Sequence, residues 1–596
     1  MEKLPRLRFP RKASSSVKTS EDLLHLYTDC WCPRASSVFN LLLSARITAS
    51  FISTISDCDE TFNYWEPTHY LLYGTGLQTW EYSPDYALRS YAYLLIHVLP
   101  AQIVRQFFGA NKITVFYYIR FFLGVICAAC ETYFFTSLAH HFGNHVARLY
   151  FIIAAFSAGM FISSTAYLPS SFAMYMVLVA YGGWFKRNFL FAIFGIALGT
   201  LVGWPFVALL GIPIAFDLIF FQRQFWQFLK WSAFIFVGIM IPLVSIDTLF
   251  YGKQVITPLN IILYNIFTND GPSLYGEESW TFYFINCFLN FNIVFPIAVV
   301  SLPVCLLVDW LRNTPKDVFL LPFWLVLSPI YLWSLVFFTQ PHKEERFMFP
   351  IYPLIVASAC IALSKFQELY HSIFTRSKRQ HYASSSNWIV AAVVIIFGLL
   401  SVSRVIALFV GYRAPLDLYP EFHNLVNPFD PSVKPMIRED QKVNVCVGRE
   451  WYRYPSSFFL PNNWNYLFIK SEFTGQLPQP FAVGADGTMV VPKNMNSKNI
   501  EEPSAYSNIE DCDFLVDVNL QTDSQYELNF SQMKKKWHIL HSKKFLYASN
   551  SSSIFRAFYV PFLSSKYTTF IDYNLLKAKR NRRLFKRQKD EETVDF

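Results

Sequence analysis

Charge is scarce in this chain. Only 16% of its 596 residues are Asp, Glu, Lys or Arg, against roughly 25% in ordinary soluble domains, and that deficit excludes a water-soluble globular protein of the usual kind. No glycine-rich loop of the G-x-x-x-x-G-K-S/T type occurs in it, so chemistry driven by ATP is not expected. No short apolar core with a small-residue cleavage site follows the basic N-terminal stretch before residue 38, so no cleaved signal peptide is expected. No clear internal repeat is visible, which counts against a transporter built from repeated halves. The formal net charge of +9 is modest for this length and gives no reason to expect a nucleic-acid partner.

What the chain has in abundance is apolar and aromatic surface. Hydrophobic residues make up 53% of it, with 61 Phe, 34 Tyr and 15 Trp, the composition of helices that face lipid and carry aromatic residues at both interfaces. Apolar runs near 37–56, 113–137, 146–164, 171–185, 188–203, 205–221, 229–250, 283–308, 317–338, 348–364 and 388–410 predict about eleven transmembrane helices, some short for a bilayer core of roughly 30 Å. The basic segment 1–36 is expected in the cytosol, as are the connections holding Lys186, Arg187, Arg223, Lys230, Arg312, Lys316, Arg376, Lys378 and Arg379. Parity then places the stretch 86–110 on the luminal interface as an amphipathic or re-entrant helix.

With that phase four pieces share the lumen: residues 57–111, the turn at 168–172, the loop 251–282 and residues 342–347. The organisation predicted is a cytosolic segment 1–36, an all-α transmembrane region 37–410 and a small luminal domain 411–596. In that last part β-like runs such as "KVNVCV" and "DFLVDV" alternate with Pro, Asn and Ser clusters, which suits mixed or mainly β structure. Asn529 and Asn550 stand in N-x-S sequons open to glycosylation in a lumen. Cys446 and Cys512 are within the same domain, but their spacing does not decide whether they pair.

Two clusters suggest chemistry. "DCDETFNYWEP" puts Asp57, Asp59, Glu60 and Glu66 among Tyr64, Trp65 and other aromatics; apolar surroundings disfavour the charged carboxylate and make it a better proton acceptor at neutral pH. The plain alternative is a helix start with Asp59 or Thr61 as its cap, and a metal site through Asp57 and Asp59 needs more oxygen ligands than one short segment supplies. "HKEERF" offers His342, Lys343 and Arg346 to an anion, or is a charged interface anchor neutralised by Glu344 and Glu345. The Tyr-, Asn- and Trp-rich loop 250–282, with Asn260 and Tyr264, suits either sugar rings or headgroups. Arg46, Arg120 and Glu131 lie inside predicted spans, where a charge needs a partner.

These residues together resemble glycosyltransferase family 22, of the GT-C class of multi-span enzymes that use lipid-phosphate sugars. The resemblance is carried by Asp59-Glu60, "LPSSFAMY", "YGKQVITPLN" followed by "YNIF", and "HKEERF". Within the family, "FNYWEPTHYLLYGTGLQTWEYSPDYALRSY" is most similar to the α-1,2-mannosyltransferases of lipid-linked oligosaccharide assembly. The resemblance implies an endoplasmic-reticulum membrane enzyme that takes mannose from dolichyl-phosphate mannose, adds the seventh and ninth mannose of a dolichyl-diphosphate-linked glycan, and needs no metal or other cofactor. It implies Asp59 as base assisted by Glu60, a donor phosphate held by Arg346, His342 and Lys343, and acceptor or sugar contacts from Asp57, Glu66, Tyr64, Trp65, Asn260 and Tyr264. An α-1,6-mannosyltransferase of the same pathway, a glycolipid-anchor mannosyltransferase, and a lipid or sugar transporter are the alternatives.

Overall fold

The computed structural model describes residues 30–268, 272–312, 321–374, 381–430, 432–522 and 524–579. Much of the basic charge used to orient the chain, including Lys316, Arg376, Lys378, Arg379 and most of segment 1–36, lies outside the described residues.

Five helices among the described residues are long and apolar enough to cross a membrane: Ala35–Ile52, Lys112–Phe142, Phe225–Tyr251, Glu345–Phe374 and Tyr382–Tyr412. Six shorter apolar stretches accompany them: Phe189–Gly203, Pro205–Phe221, Thr257–Phe267, Phe282–Phe291, Ser301–Leu311 and Phe323–Phe337. Several predicted spans are thus broken, and the breaks have local causes. Pro205 and Pro213 divide their run into a 3-10 turn, a short α-helix and a π-turn, because proline lacks the amide that continues a helix. Asn292, at φ +35, separates Phe282–Phe291 from Val294–Val299. The stretch read as a loop at 250–282 contains the helix Thr257–Phe267, entered through Pro258 in its first turn. Tyr91–Phe108, with Pro100 inside, exposes Leu99, Ile103 and Phe107 at helical spacing.

Pro169–Phe185 is buried almost throughout and packs between Lys112–Phe142 and Phe189–Leu198. A Cβ at Gly195 would lie 2.7 Å from the Met176 carbonyl, so this close crossing requires glycine there. The first helix lies against Lys112–Phe142 through an ion pair. Arg46 donates from Nε to Glu131 Oε2 at 2.9 Å and from Nη2 to Oε1 at 2.6 Å, and Nη2 also reaches the Ala154 carbonyl at 3.0 Å. Both side chains are fully buried. Arg120 instead donates to the Ser53 carbonyl at 2.9 Å, where the first helix ends.

The C-terminal part is built on a five-stranded sheet of β2 (Val443–Val447), β3 (Trp464–Phe468), β5 (Phe514–Val518), β6 (Trp537–Leu546) and β7 (Phe570–Ala578), in the order β3-β2-β5-β7-β6. β2 is parallel to β3 and β5, and β7 is antiparallel to β5 and β6. Cys446 on β2 and Cys512 form a disulfide, their Cα atoms 5.7 Å apart. Two-residue β1 (Leu77–Gln78), from the first loop, pairs with β4 (Gln479–Pro480). Asn550 is exposed, whereas the Asn529 amide donates to Asn519 Oδ1 at 3.0 Å and is half-buried.

Glu131→Ala leaves the Arg46 guanidinium buried without its counter-charge, so unfolding of the detergent-solubilised protein is expected to be easier by about 3–5 kcal/mol. Replacing Arg46 as well is expected to cost far less than the sum of the two single changes, read as thermal midpoints in a double-mutant cycle.

Candidate active site

The acidic stretch after the first helix folds as one interrupted helix. Asp57 caps it by accepting from the Asp59 amide at 2.9 Å, upstream of a cap at Asp59 or Thr61. A turn at Cys58–Glu60 runs into a π-helical turn at Thr61–Trp65 and then into Glu66–Tyr73, which ends at Gly74 with φ +77, a left-handed position that suits glycine. The π-turn shifts the facing of the side chains by one residue, and such turns recur at functional sites.

Its four acids are separated by exposure. The Asp59 side chain is 31% exposed and that of Asp57 23%, while Glu60 is 3% and Glu66 0% exposed. Glu60 accepts from Trp65 Nε1 at 3.0 Å and from the Tyr167 amide at 3.1 Å. Glu66 accepts from the Ser457 amide at 2.5 Å, the Ser457 hydroxyl at 2.9 Å and the Leu77 amide at 3.0 Å. These two carboxylates, expected at the substrate, tie the loop to its surroundings. Trp65 is likewise fully buried against Phe116, Tyr167 and Phe458, and Tyr64 is buried with its hydroxyl accepting from Arg89 Nη1 at 2.7 Å. Neither aromatic face is open to a sugar.

The "HKEERF" segment closes over the two partly exposed acids, Asp57 and Asp59. Glu345–Ile351 is a 3-10 turn that brings Arg346 Nη2 to 2.6 Å from Asp59 Oδ2 and Nε to 3.3 Å from Asp57 Oδ2, with Glu344 also paired to Nε. Arg346, expected at the donor phosphate, is engaged by three carboxylates. Lys343, expected at the donor phosphate, is buried and donates to the carbonyls of Glu278 at 2.8 Å and Gln340 at 2.5 Å, so its ammonium closes the loop on itself. His342 bridges the Gly276 carbonyl at 2.9 Å and Glu344 Oε1 at 3.2 Å. Burial lowers its affinity for a proton, but Glu344 and that carbonyl more than offset this and leave its pKa raised.

Two residues not singled out for the site complete it. Arg89 grips Glu81 bidentately at 2.8 and 3.0 Å and lies 3.7 Å from Asp59. Both stand in the aromatic-rich stretch quoted above, where "TWEYSPDYALR" carries a paired acid and base; nothing in the spacing shows that they fold back on Asp59. Ala87, at φ +44, turns the chain so that Arg89 faces inward, and the Asn260 amide holds the Ala87 carbonyl at 3.0 Å. Tyr264 packs on Trp80 with centroids 5.0 Å apart. Asn260 and Tyr264, expected at the sugar, thus contact the stretch that carries Arg89, through Ala87 and Trp80.

The charge balance differs between the two neighbouring acids. Burial raises the pKa of Asp59, but Arg346 and Arg89 outweigh it and hold the carboxyl below its ordinary range. For Asp57 burial prevails over Arg346, Glu344 and Asp59 add to it, and the pKa is pushed up to about 7. Asp59 is thus the carboxylate that stays ionised at neutral pH. Asp57, Cys58 and Asp59 bring ligand-capable atoms within 4.8 Å of one another, with the Arg346 guanidinium paired to both carboxylates.

Residues 37–461, which contain all of these groups, match the Alg9-like mannosyltransferase family. The chain belongs to that family. It is 49% identical over 592 residues to human "Alpha-1,2-mannosyltransferase ALG9", covering 98% of this chain and 96% of that one. Over 556 residues it is 50% identical to the Mus musculus protein of the same name, with 92% and 90% covered. Among solved structures, ArnT from Cupriavidus metallidurans bound to undecaprenyl phosphate shares 10% identity over 77% of this chain and 87% of that one, with a TM-score of 0.45, too loose an overlap to argue from. The mannosyltransferase is a multi-pass membrane enzyme.

Burial raises the Glu66 pKa to about 7 against the hydrogen bonds from Ser457 and Leu77. An acid whose folded pKa lies above its unfolded value contributes stability at low pH that is lost as pH rises through the folded value. The stability difference between wild type and Glu66→Gln is therefore expected to move against the wild type between about pH 5 and pH 7, with a slope of up to about 1.4 kcal/mol per pH unit, and to level off above the folded pKa. Thermal midpoints across that range check it; a constant difference would contradict the assignment.

Proposed function

We propose that this enzyme is an inverting α-1,2-mannosyltransferase that moves mannose from dolichyl-phosphate mannose to a dolichyl-diphosphate-linked oligosaccharide, supplying the seventh and ninth mannose in the endoplasmic-reticulum membrane. In this reading the N-terminus is cytosolic, and residues 57–111 and the C-terminal domain face the lumen. The names of its full-length relatives support the linkage. The observation that carries the chemistry is Asp59, a partly exposed carboxylate kept ionised by Arg346 and Arg89.

Transfer from a β-linked donor to an α-linked product is one displacement. The acceptor 2-hydroxyl oxygen forms a bond to the anomeric carbon, its proton passes to Asp59, and the bond from that carbon to the phosphate oxygen breaks with its electron pair leaving on dolichyl phosphate. A positioned base of this kind contributes about 10²–10⁴-fold. Arg346 is the positioning residue: it fixes Asp59 and Asp57 relative to one another and lowers the pKa of Asp59. No divalent ion enters the scheme.

Mannose transfer by the purified protein from short-chain dolichyl-phosphate mannose to synthetic lipid-linked glycans tests this, with EDTA present and the linkage read by an α-1,2-specific mannosidase. Wild type is expected to form α-1,2 product despite the chelator. Asp59→Asn is expected to lose at least about 100-fold in kcat with little change in KM; near-normal turnover would remove Asp59 as the base. Removing the cation beside Asp59 raises the pKa of the carboxyl, so the acid limb of the kcat–pH profile is expected to move to higher pH in Arg346→Ala and to return partly in Arg346→Lys.

A further inference from the structure

The antiparallel strands β6 and β7 are joined by residues 547–569, where an ordinary hairpin needs about two to five residues. β6 ends beside the end of the helix Tyr382–Tyr412: the Tyr412 ring lies 5.7 Å from that of Phe545, and a Cβ at Gly411 would lie 3.4 Å from Leu546. The connection then runs back along the helix. Ser403 Oγ donates to the Tyr559 carbonyl at 2.8 Å, the Tyr559 amide donates to the Ser403 carbonyl at 3.1 Å, and Arg404 Nη1 donates to the Ala557 carbonyl at 3.2 Å. Ser403 stands nine residues before Tyr412, which is about 13 Å along a helix axis.

That stretch of helix is apolar on its outside. Ile395, Leu399, Val402, Ile406 and Phe409 are exposed at intervals of three or four residues, which makes one stripe for lipid to cover. Ser403 lies on the flank of the stripe, four residues after Leu399 and three before Ile406. The connection docked there adds apolar side chains of its own. Phe562 is 92% and Ile554 68% exposed, and Leu563 and Tyr567 are exposed as well. Phe562 has φ +65, a left-handed position that a bulky residue adopts only under strain. The main chain around it is paired within the segment. Ser564 Oγ accepts from the Val560 amide at 2.8 Å, Ser565 Oγ donates to the Phe562 carbonyl at 3.1 Å, and the Thr568 amide donates to the Ser564 carbonyl at 2.9 Å. Backbone in an apolar medium needs such internal partners.

We propose that the tip of this connection, with Ile554, Phe562 and Leu563, is a bilayer anchor of the C-terminal domain, seated among lipid acyl chains beneath the headgroups. Its continuity with the apolar stripe of a helix long enough to cross the membrane fixes lipid as the occupant. Charge agrees with that choice: Arg556 and Lys566 are the only charged residues in 547–569. Arg556 Nη1 turns back toward β6, to the Ala548 carbonyl at 2.8 Å, and Lys566 lies over the Tyr567 ring at 5.5 Å. Basic and aromatic groups around an apolar tip suit a segment lying in the membrane interface. The anchor holds the edge strand β6 against the helix Tyr382–Tyr412, and with it the domain whose Ser457 donates to Glu66.

A fluorescent amino acid placed at Phe562 in the full chain tests this in phosphatidylcholine nanodiscs. The control position is Asn465, exposed on β3 at the opposite edge of the sheet. Phosphatidylcholine spin-labelled high on its acyl chain and aqueous iodide serve as quenchers. The spin-labelled lipid is expected to quench the probe at Phe562 at least fivefold more than the probe at Asn465, and iodide at least fivefold less. Equal iodide quenching at the two positions overturns the anchor. Shielding of Phe562 from both quenchers also overturns it and assigns the tip to a second copy or another protein. In a separate measurement, Phe562→Asp combined with Leu563→Asp is expected to speed amide hydrogen exchange in 553–567 at least tenfold, while β5 and β7 exchange as in wild type and Phe562→Leu keeps the slow rate. Wild-type exchange in 553–567 of the double variant overturns the anchor.

Discussion

Everything at this site depends on one guanidinium. Arg346 is 287 residues from Asp59 in the chain, and their 2.6 Å contact joins the "HKEERF" turn to the first loop. Without it Asp57, Asp59 and Glu344 would stand as like charges at the edge of a low-dielectric region, where their repulsion is strongly felt. With it, one acid is held ionised and its neighbour is left with a pKa of about 7. Arg89 serves Glu81 and Asp59 in the same way from the other side.

The helical region deals with charge by pairing it. Arg46 and Glu131 meet bidentately in full burial, which removes the cost of isolated ions in an apolar interior and sets the first helix against Lys112–Phe142. The first loop leaves that pair of helices in a defined direction as a result, and Arg120 and Arg413 hold the carbonyls of the exit segment.

The C-terminal domain backs the first loop. Ser457 donates twice to Glu66, Thr61 donates to the Tyr454 carbonyl at 2.8 Å, Lys112 reaches the Leu460 carbonyl at 3.2 Å, and β1 pairs with β4. The loop that carries Asp59 is therefore clamped between membrane helices and a sheet domain, which is the support a site needs if its groups are to hold their geometry.

Composition and hydropathy by themselves determined that this is a helical multi-pass membrane protein with a strand-bearing C-terminal region, because lipid demands long apolar helices and a sheet shows its period of two locally. They also marked the two segments where acids and bases gather. Helix breaks at Pro205, Pro213 and Asn292 were written in the residues but hidden by the smooth apolar runs around them. Which acid is exposed was decided only in three dimensions: Asp59 and Glu60 are adjacent and chemically alike, yet a π-turn and the Tyr167 amide bury one and leave the other at the surface. The same holds for the bases. "HKEERF" displays three cations in a row, but whether each meets a substrate depends on which carbonyls and carboxylates the fold brings within 3 Å of it, and residues hundreds of positions apart supply those partners.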